Sequence, residues 1–253
     1  GSWHGCQELL NVVLRVASPG CQMLDVGANI GICSLMLAQL GFQVTAFEPW
    51  PRNAELFKAS LALNNLSISG SRTANGGSVV FHQIGLSDRD GTAFMLEGRQ
   101  NAGMSVVVND KGNVLSCDDK AFWCNAHKPL VDVRRLDDIW TAAEGKNATD
   151  GPHICLAKVD AEGGELRVLR GALSLLRSRT ISVLYIEWWP PHLTALGETP
   201  VGMLWLLHTL RYEIFAPAEW FTGNQNDKRW LMVVPGRFKF LEEHWGDIVA
   251  RAQ

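Results

Sequence analysis

The sequence predicts an α/β fold, a mostly parallel sheet flanked by helices with a crevice at the carboxyl edge of its strands. Three observations predict it. Leu24-Asp25-Val26-Gly27-Ala28-Asn29-Ile30-Gly31 joins an apolar strand to a helix through a glycine turn. A second apolar run closes at Glu48, and an acid about 20 residues beyond such a turn is placed to accept hydrogen bonds from ribose hydroxyls. A further apolar run ends in the charged stretch Lys158-Val159-Asp160-Ala161-Glu162-Gly163-Gly164-Glu165. Open α/β sheets present their ligands at such strand ends.

The elements follow in order. Residues 6–17 have helical apolar spacing and are expected to cover the sheet edge or the cofactor site. Strand 22–26 leads into helix 30–40, and strand 43–47 leads into a helix that opens at Pro51, where proline is favoured. The polar stretch 67–78 reads as loop, and strand 79–84 ends at Gly85-Leu86-Ser87-Asp88. From 92 to 134, short β-type runs separated by Gly and Asn predict hairpins. This β-rich insertion is expected to line the substrate site. Residues 136–140 read as one helical turn. Strand 154–159 precedes an amphipathic helix broken at Gly171, and strand 182–186 ends at Glu187, before Trp188-Trp189-Pro190-Pro191. A helix at 200–210 precedes strands 212–215 and 229–234, which have no helix between them and are expected to pair antiparallel. A final helix is expected at 239–251. The sum is a seven-stranded, mostly parallel sheet with an antiparallel last strand, in a single domain spanning 1–253.

Composition bounds the function. In 253 residues, 47% hydrophobic and 19% charged residues make an ordinary globular balance. A net charge of −3 offers no electrostatic footprint for nucleic acid, and no apolar run approaches the ~20 residues that span a bilayer. The six cysteines form no CxxC pair or zinc pattern. Cys33 and Cys155 lie in apolar elements where free buried thiols are expected, while Cys117 and Cys124 are close enough for a bridge to be considered. Asn65-Leu66-Ser67 and Asn147-Ala148-Thr149 are glycosylation sequons. The Gly1-Ser2 start reads as a cleavage scar, so the lack of a leader says little. A cytoplasmic setting is expected, with a secretory-pathway lumen as the alternative.

The turn decides the nucleoside. A dinucleotide site wants G-x-G-x-x-G, whereas here Asn29 takes the second glycine position. Gly27 and Gly31 are expected to let a ligand approach the backbone, with free N–H groups at the helix start facing it. The arrangement resembles motif I of the class I S-adenosylmethionine-dependent methyltransferases, which have a Rossmann-like fold. The resemblance narrows at Lys158-Val159-Asp160-Ala161-Glu162-Gly163-Gly164-Glu165-Leu166-Arg167-Val168-Leu169-Arg170-Gly171-Ala172. Together with Leu24–Gly31, Phe47-Glu48-Pro49, Ser87-Asp88, the 135–140 stretch and Tyr185-Ile186-Glu187-Trp188, this looks like the FkbM family of methyltransferases. Ala161, Gly164 and the Trp188-Trp189 pair depart modestly from the family pattern.

The resemblance implies methyl transfer from S-adenosylmethionine, most often to a hydroxyl of a small molecule or glycan. It implies Asp25, Gly27, Ala28, Asn29 and Gly31 around the methionine part of the cofactor, and Glu48 with Pro49 at the ribose. Ser87 and Asp88 would lie near the adenine, and Asp160 and Glu162 beside the sulfonium and the acceptor. An alcohol needs a proton acceptor or a Lewis acid. Asp160, Glu162 and Lys158 are the acceptor candidates, although carboxylates beside Lys158 oppose the loss of its proton. Asp160 and Glu187, at adjacent strand tips, offer a less favoured Mg²⁺ alternative. His192 is the best histidine candidate, and no set of His or Cys has metal-ligand spacing. Trp50 is placed to stack near the adenine. Trp188, Trp189, Trp220, Trp230, Met104 and Ser105 are candidates to face the acceptor. Two readings of other classes remain: an N-methyltransferase acting on RNA or protein, and an inactive cofactor-binding partner subunit.

Overall fold

A computed structural model describes residues 3–98, 106–108, 123–124, 129–144, 152–222 and 229–253. The chain runs α1 (Trp3–Val16), β1 (Gln22–Val26), α2 (Ile32–Gln39), β2 (Gln43–Phe47), α3 (Pro51–Leu63), β3 (Ser69–Arg72) and β4 (Ser78–His82). It continues through β5 (Gly85–Leu86), β6 (Gly91–Gly98), β7 (Val106–Val108), β8 (Trp123–Cys124), β9 (Leu130–Arg134) and α4 (Leu136–Glu144). Then come β10 (Ile154–Val159), α5 (Glu165–Arg170), α6 (Leu173–Arg177), β11 (Ile181–Trp188), α7 (Pro190–Ala195) and α8 (Pro200–Thr209). The chain closes with β12 (Tyr212–Pro217), α9 (Glu219–Thr222), β13 (Trp230–Val233), a 3₁₀ helix (Pro235–Glu243) and β14 (Gly246–Ala252).

The main sheet has the order β13-β12-β14-β11-β10-β1-β2-β4-β3. β1, β2, β4, β10 and β11 run parallel, and β14 is antiparallel to both β11 and β12. The chain winds outward from β1 through β2 to β4, then restarts at β10 on the other side of β1. Such a reversal opens a crevice at the carboxyl ends of the two central strands. Successive strand residues face opposite sides, which divides the core in two. Leu24, Val26, Val159, Ile186 and Ile248 pack on the α5, α6 and α8 side, while Met23, Val44, Leu156, Val183 and Val249 pack on the α1, α2 and α3 side.

The parallel α/β core, the break at Gly171 and the antiparallel β12–β13 pair agree with expectation. Three corrections concern the edges. The sheet has nine strands rather than seven, because the 67–78 stretch contains β3 and the chain terminus supplies β14. The helix expected at 239–251 is a 3₁₀ segment followed by β14. Ile248, Val249 and Ala250 are all buried, and a strand covered on both faces carries an unbroken apolar run that periodicity cannot tell from a buried helix. Similarly, 136–140 is not one turn but the start of the nine-residue α4.

The second sheet has the order β5-β9-β6-β7, with β8 on β6. Its β6–β7 and β6–β9 pairs are the antiparallel hairpin contacts expected of the insertion. Trp50 is not exposed to a ligand site; it packs on Met95 and Val131 and so joins this sheet to the start of α3.

Cys33 and Cys155 are not free thiols. Disulfides link Cys6 to Cys33 and Cys21 to Cys155, with Cα–Cα separations of 5.3 and 6.2 Å. The first ties α1 to α2. The second ties the start of β1 to its parallel neighbour β10 at the register shift beside Gln22 and Ile154. Met104, Ser105, Cys117, His127 and the Asn147 sequon lie outside the described residues, as do the side chains of Cys124 and Trp220. Among the described residues, no helix is long and apolar enough to cross a membrane.

Reducing these two bridges is expected to lower stability by about 2–4 kcal/mol each. Urea unfolding with and without a reductant, on the wild type and on Cys21→Ser/Cys155→Ser, measures the loss.

Candidate cofactor and active site

The strand tips at the crevice are locked together by backbone contacts. Gly27 has φ +73°, and a Cβ there would strike the backbone carbonyl of Asp160. Gly31 has φ +88°, and a Cβ there would enter the Phe57 ring. The packing of the turn against β10 and α3 thus requires the missing Cβ at both positions. Asn29 sits at φ +53°, in the left-handed region that Asn tolerates better than most residues. That accounts for Asn at a position where other folds place glycine.

Glu48 holds this turn from the tip of β2. Its two carboxylate oxygens accept the N–H groups of Asn29 at 2.9 Å and Trp50 at 2.8 Å. Burial pushes Glu48 up to about 7 despite those two bonds, which oppose the rise.

Lys158 sits behind the turn. Asp25 and Lys158 are register partners on β1 and β10. The Lys158 ammonium lies 3.4 Å from Asp25 Oδ1 and 3.2 Å from Asp160 Oδ2, and donates to the Gly27 carbonyl at 3.2 Å. Asp25 also accepts the Ser34 hydroxyl at 2.6 Å. Burial would strip the Lys158 proton, but the Asp160 and Asp25 carboxylates outweigh it and hold the amine above its ordinary value. These contacts favour the charged ammonium and oppose a role for Lys158 as proton acceptor.

Beyond Asp160, the loop makes a second acidic group. Glu165 accepts the N–H groups of Ala161 at 2.8 Å and Gly163 at 3.0 Å, so it shapes the loop. Glu162, at φ +53°, lies 3.4 Å from His192 Nδ1. Burial and the charges of Asp160 and Glu165 push Glu162 up to about 8. Burial and the charges of Asp160 and Glu162 push Glu187 well up. His192 is fully buried, which lowers it to about 4 and leaves a neutral imidazole. Its ring stacks on Trp189 with centroids 5.0 Å apart.

A partly open cavity of about 120 Å³ collects most of these groups. Gly27, Ala28, Asn29, Glu48, Pro49, Ser87, Lys158, Asp160 and Glu162 line it, all expected from the sequence. Asp25, Gly31, Asp88 and Glu187 are not in its wall. Asp25 is buried behind Lys158, Gly31 faces Phe57, and Asp88 is exposed. Sequence reasoning passed over Cys6, Cys33, Asn53, Ile84 and Arg167, which do line it. Cys6 belongs to α1, so the first helix reaches the cavity as the sequence allowed. The 92–134 segment supplies none of the described lining and touches the region through β5, which pairs with β9. Trp188 is core, donating its indole N–H to the Leu241 carbonyl at 2.8 Å, and Trp230 packs against Tyr185.

Comparison with known proteins gives the family. Residues 25–214 match the methyltransferase FkbM domain. This chain belongs to the FkbM methyltransferase-domain family. Methyltransferase 1 of Beauveria bassiana is 32% identical over 157 residues, 59% of this chain and 57% of that protein. Methyltransferase sdnD of Sordaria araneosa is 31% identical over 187 residues, 67% of this chain and 66% of that protein. The chain thus spans less than two thirds of the length of these curated relatives. Among solved structures, the human methyltransferase 10 domain containing protein is similar at TM-score 0.44 and 12% identity, over 100% of this chain and 84% of that one. Geranyl diphosphate methyltransferase in complex with S-adenosylmethionine aligns at TM-score 0.42 and 10% identity, over 98% and 84%.

Two outcomes follow for this FkbM-domain chain. Gly31→Ala is expected to lower the melting temperature strongly, and adding Phe57→Ala to restore part of it, because the added methyl meets that ring. Thermal melts of the single and double variants measure the rescue. For Glu48, the folded value of about 7 exceeds the ordinary 4.5. Its contribution to stability is therefore complete below about pH 4.5 and lost as pH rises through 7. Between about pH 5 and pH 8 the ligand-free protein should lose about 1–3 kcal/mol from this group. Urea midpoints across that range should fall less steeply in Glu48→Gln.

Proposed function

We propose that this protein transfers a methyl group from S-adenosylmethionine to a hydroxyl oxygen of a small molecule or glycan. The observation that carries the reading is a single cavity with Glu48 at the tip of β2 and Asp160 at the tip of β10. The residues present fit the cofactor. Val26, Phe47, Ile84, Leu86 and Val168 give an apolar wall for the adenine. Glu48 would hold the ribose hydroxyls, since each of its oxygens accepts one N–H and keeps a second lone-pair direction. The turn at Ala28 and Asn29 would hold the amino acid end.

S-adenosylmethionine, when bound, supplies a methyl group already activated on a sulfonium. The chain's own tasks are then alignment and proton handling. Asp160, with a side chain 26% exposed and paired to Lys158, presents a fixed carboxylate to the cavity. It would orient the acceptor hydroxyl and take its proton late, when the attacking oxygen has become strongly acidic. Lys158 keeps that carboxylate in place. The second sheet, joined to the cavity wall through β5, is assigned the choice of acceptor. The two disulfides and the exposed Asn65 sequon favour an oxidising compartment over the cytoplasm.

Calorimetry with S-adenosylmethionine, followed by S-adenosylhomocysteine release against a panel of hydroxyl acceptors, tests the proposal. Failure to bind the cofactor overturns it. Turnover confined to nitrogen acceptors would make the protein an N-methyltransferase, and binding without turnover on either class would make it a partner subunit. Asp160→Asn is expected to lower kcat by about 10²-fold or more while cofactor affinity changes only a few-fold. Full turnover in that variant would make Asp160 structural.

A further inference from the structure

Glu162, Glu187 and His192 come together from three separate elements: the loop after β10, the end of β11 and the middle of α7. Each offers one ligand atom, and the three atoms lie within 4.8 Å of one another. Ligand atoms on adjacent octahedral positions with bonds of ~2.1 Å lie ~3.0 Å apart, so the three side chains must draw inward to close on an ion. No local spacing announces this set, because the two glutamates are 25 positions apart and α7 turns His192 back toward them.

A second observation points to a ligand. Glu187 Oε2 is shut off from solvent and has no hydrogen-bond partner among the described residues. An oxygen in that position is costly unless something satisfies it. Lys158 is already shared between Asp25 and Asp160. Two buried carboxylates this close require a counter-charge, either a shared proton or a cation.

We propose that Glu162, Glu187 and His192 form a site for one divalent transition-metal ion of the Mn²⁺, Fe²⁺ or Zn²⁺ class. One imidazole with two carboxylates suits those ions better than Mg²⁺ or Ca²⁺, which prefer all-oxygen shells. Three protein ligands leave coordination positions open, the pattern of a catalytic rather than a structural centre. The stacking of the His192 ring on Trp189 fixes its orientation. Glu162 belongs both to this cluster and to the cavity wall, so the open positions adjoin the space next to Asp160. The role assigned to the ion rests on the hydroxyl-methylation reading: it would bind the acceptor oxygen and lower its pKa, with the proton passing to Asp160. The ligand set differs from the Asp160–Glu187 pairing that strand order alone suggests, because Lys158 occupies Asp160.

The test uses the whole chain stripped of metal by a chelator, with no cofactor or acceptor present. Mn²⁺ is added and the free-ion signal followed by electron paramagnetic resonance, and Zn²⁺ is titrated by calorimetry. The expected result is one ion per chain, with imidazole nitrogen coupling in the electron spin echo spectrum of the Mn²⁺ complex. Glu187→Gln and His192→Asn should each weaken binding by about tenfold or more. Binding of neither ion overturns the proposal, as do variants that bind like the wild type. If both variants fail to fold, the nitrogen coupling in the wild type decides, and its absence also overturns the proposal. Because no cofactor enters the measurement, a failure here leaves methyl transfer standing, and a failure to turn over leaves the ion site standing.

Discussion

The buried ammonium of Lys158 joins the two central strands at the one place where the sheet reverses its winding. Taking an ammonium and two carboxylates out of water is costly. It is tolerated here because Asp25, Asp160 and the Gly27 carbonyl surround the same nitrogen. Removing that nitrogen would leave two carboxylates facing each other, a change that typically costs about 3–5 kcal/mol. The glycine turn, the Asp160 carboxylate and the floor of the cavity all take their positions from this contact. Gly27 can lie against the Asp160 backbone only because it has no Cβ.

Glu48 imposes the second constraint. It fastens the left-handed Asn29 to the end of β2 and the entrance to α3, and the same carboxylate faces the cavity. One side chain thus both braces the turn and lines the cavity. The same doubling occurs at Cys6 and Cys33, whose bridge ties α1 to α2 and also forms part of the cavity wall. Around the far rim, Glu162, Glu187 and Asp247 are pushed upward by burial. The site holds more carboxyl groups than the one ammonium of Lys158 can pair.

Much of this was legible in the chain. The strands 22–26, 43–47 and 154–159 appear where the apolar runs place them, since each is short, apolar and closed by a turn signal. Glu48, Asp160 and Glu162 reach the cavity because strand tips in a wound sheet share one edge. Legibility failed where local pattern and tertiary burial diverge. β14 reads as helix because an interior strand has no alternation to show. Trp50, beside the acid of β2, faces the second sheet instead of a ligand. The disulfides were hidden because their partners lie 27 and 134 residues apart, and spacing carries no information over such distances.

The sequence by itself determined the α/β winding, the family and the residues at the strand tips, because period, turn chemistry and motif spacing are local properties. Only the tertiary structure decided what those residues do for one another. It made Lys158 a cation held between two acids, assigned Gly27 and Gly31 to packing, and brought Glu162, Glu187 and His192 within reach of a single ion. Those outcomes depend on distances between elements far apart in the chain, which arise only when the sheet closes and the carboxylates leave water.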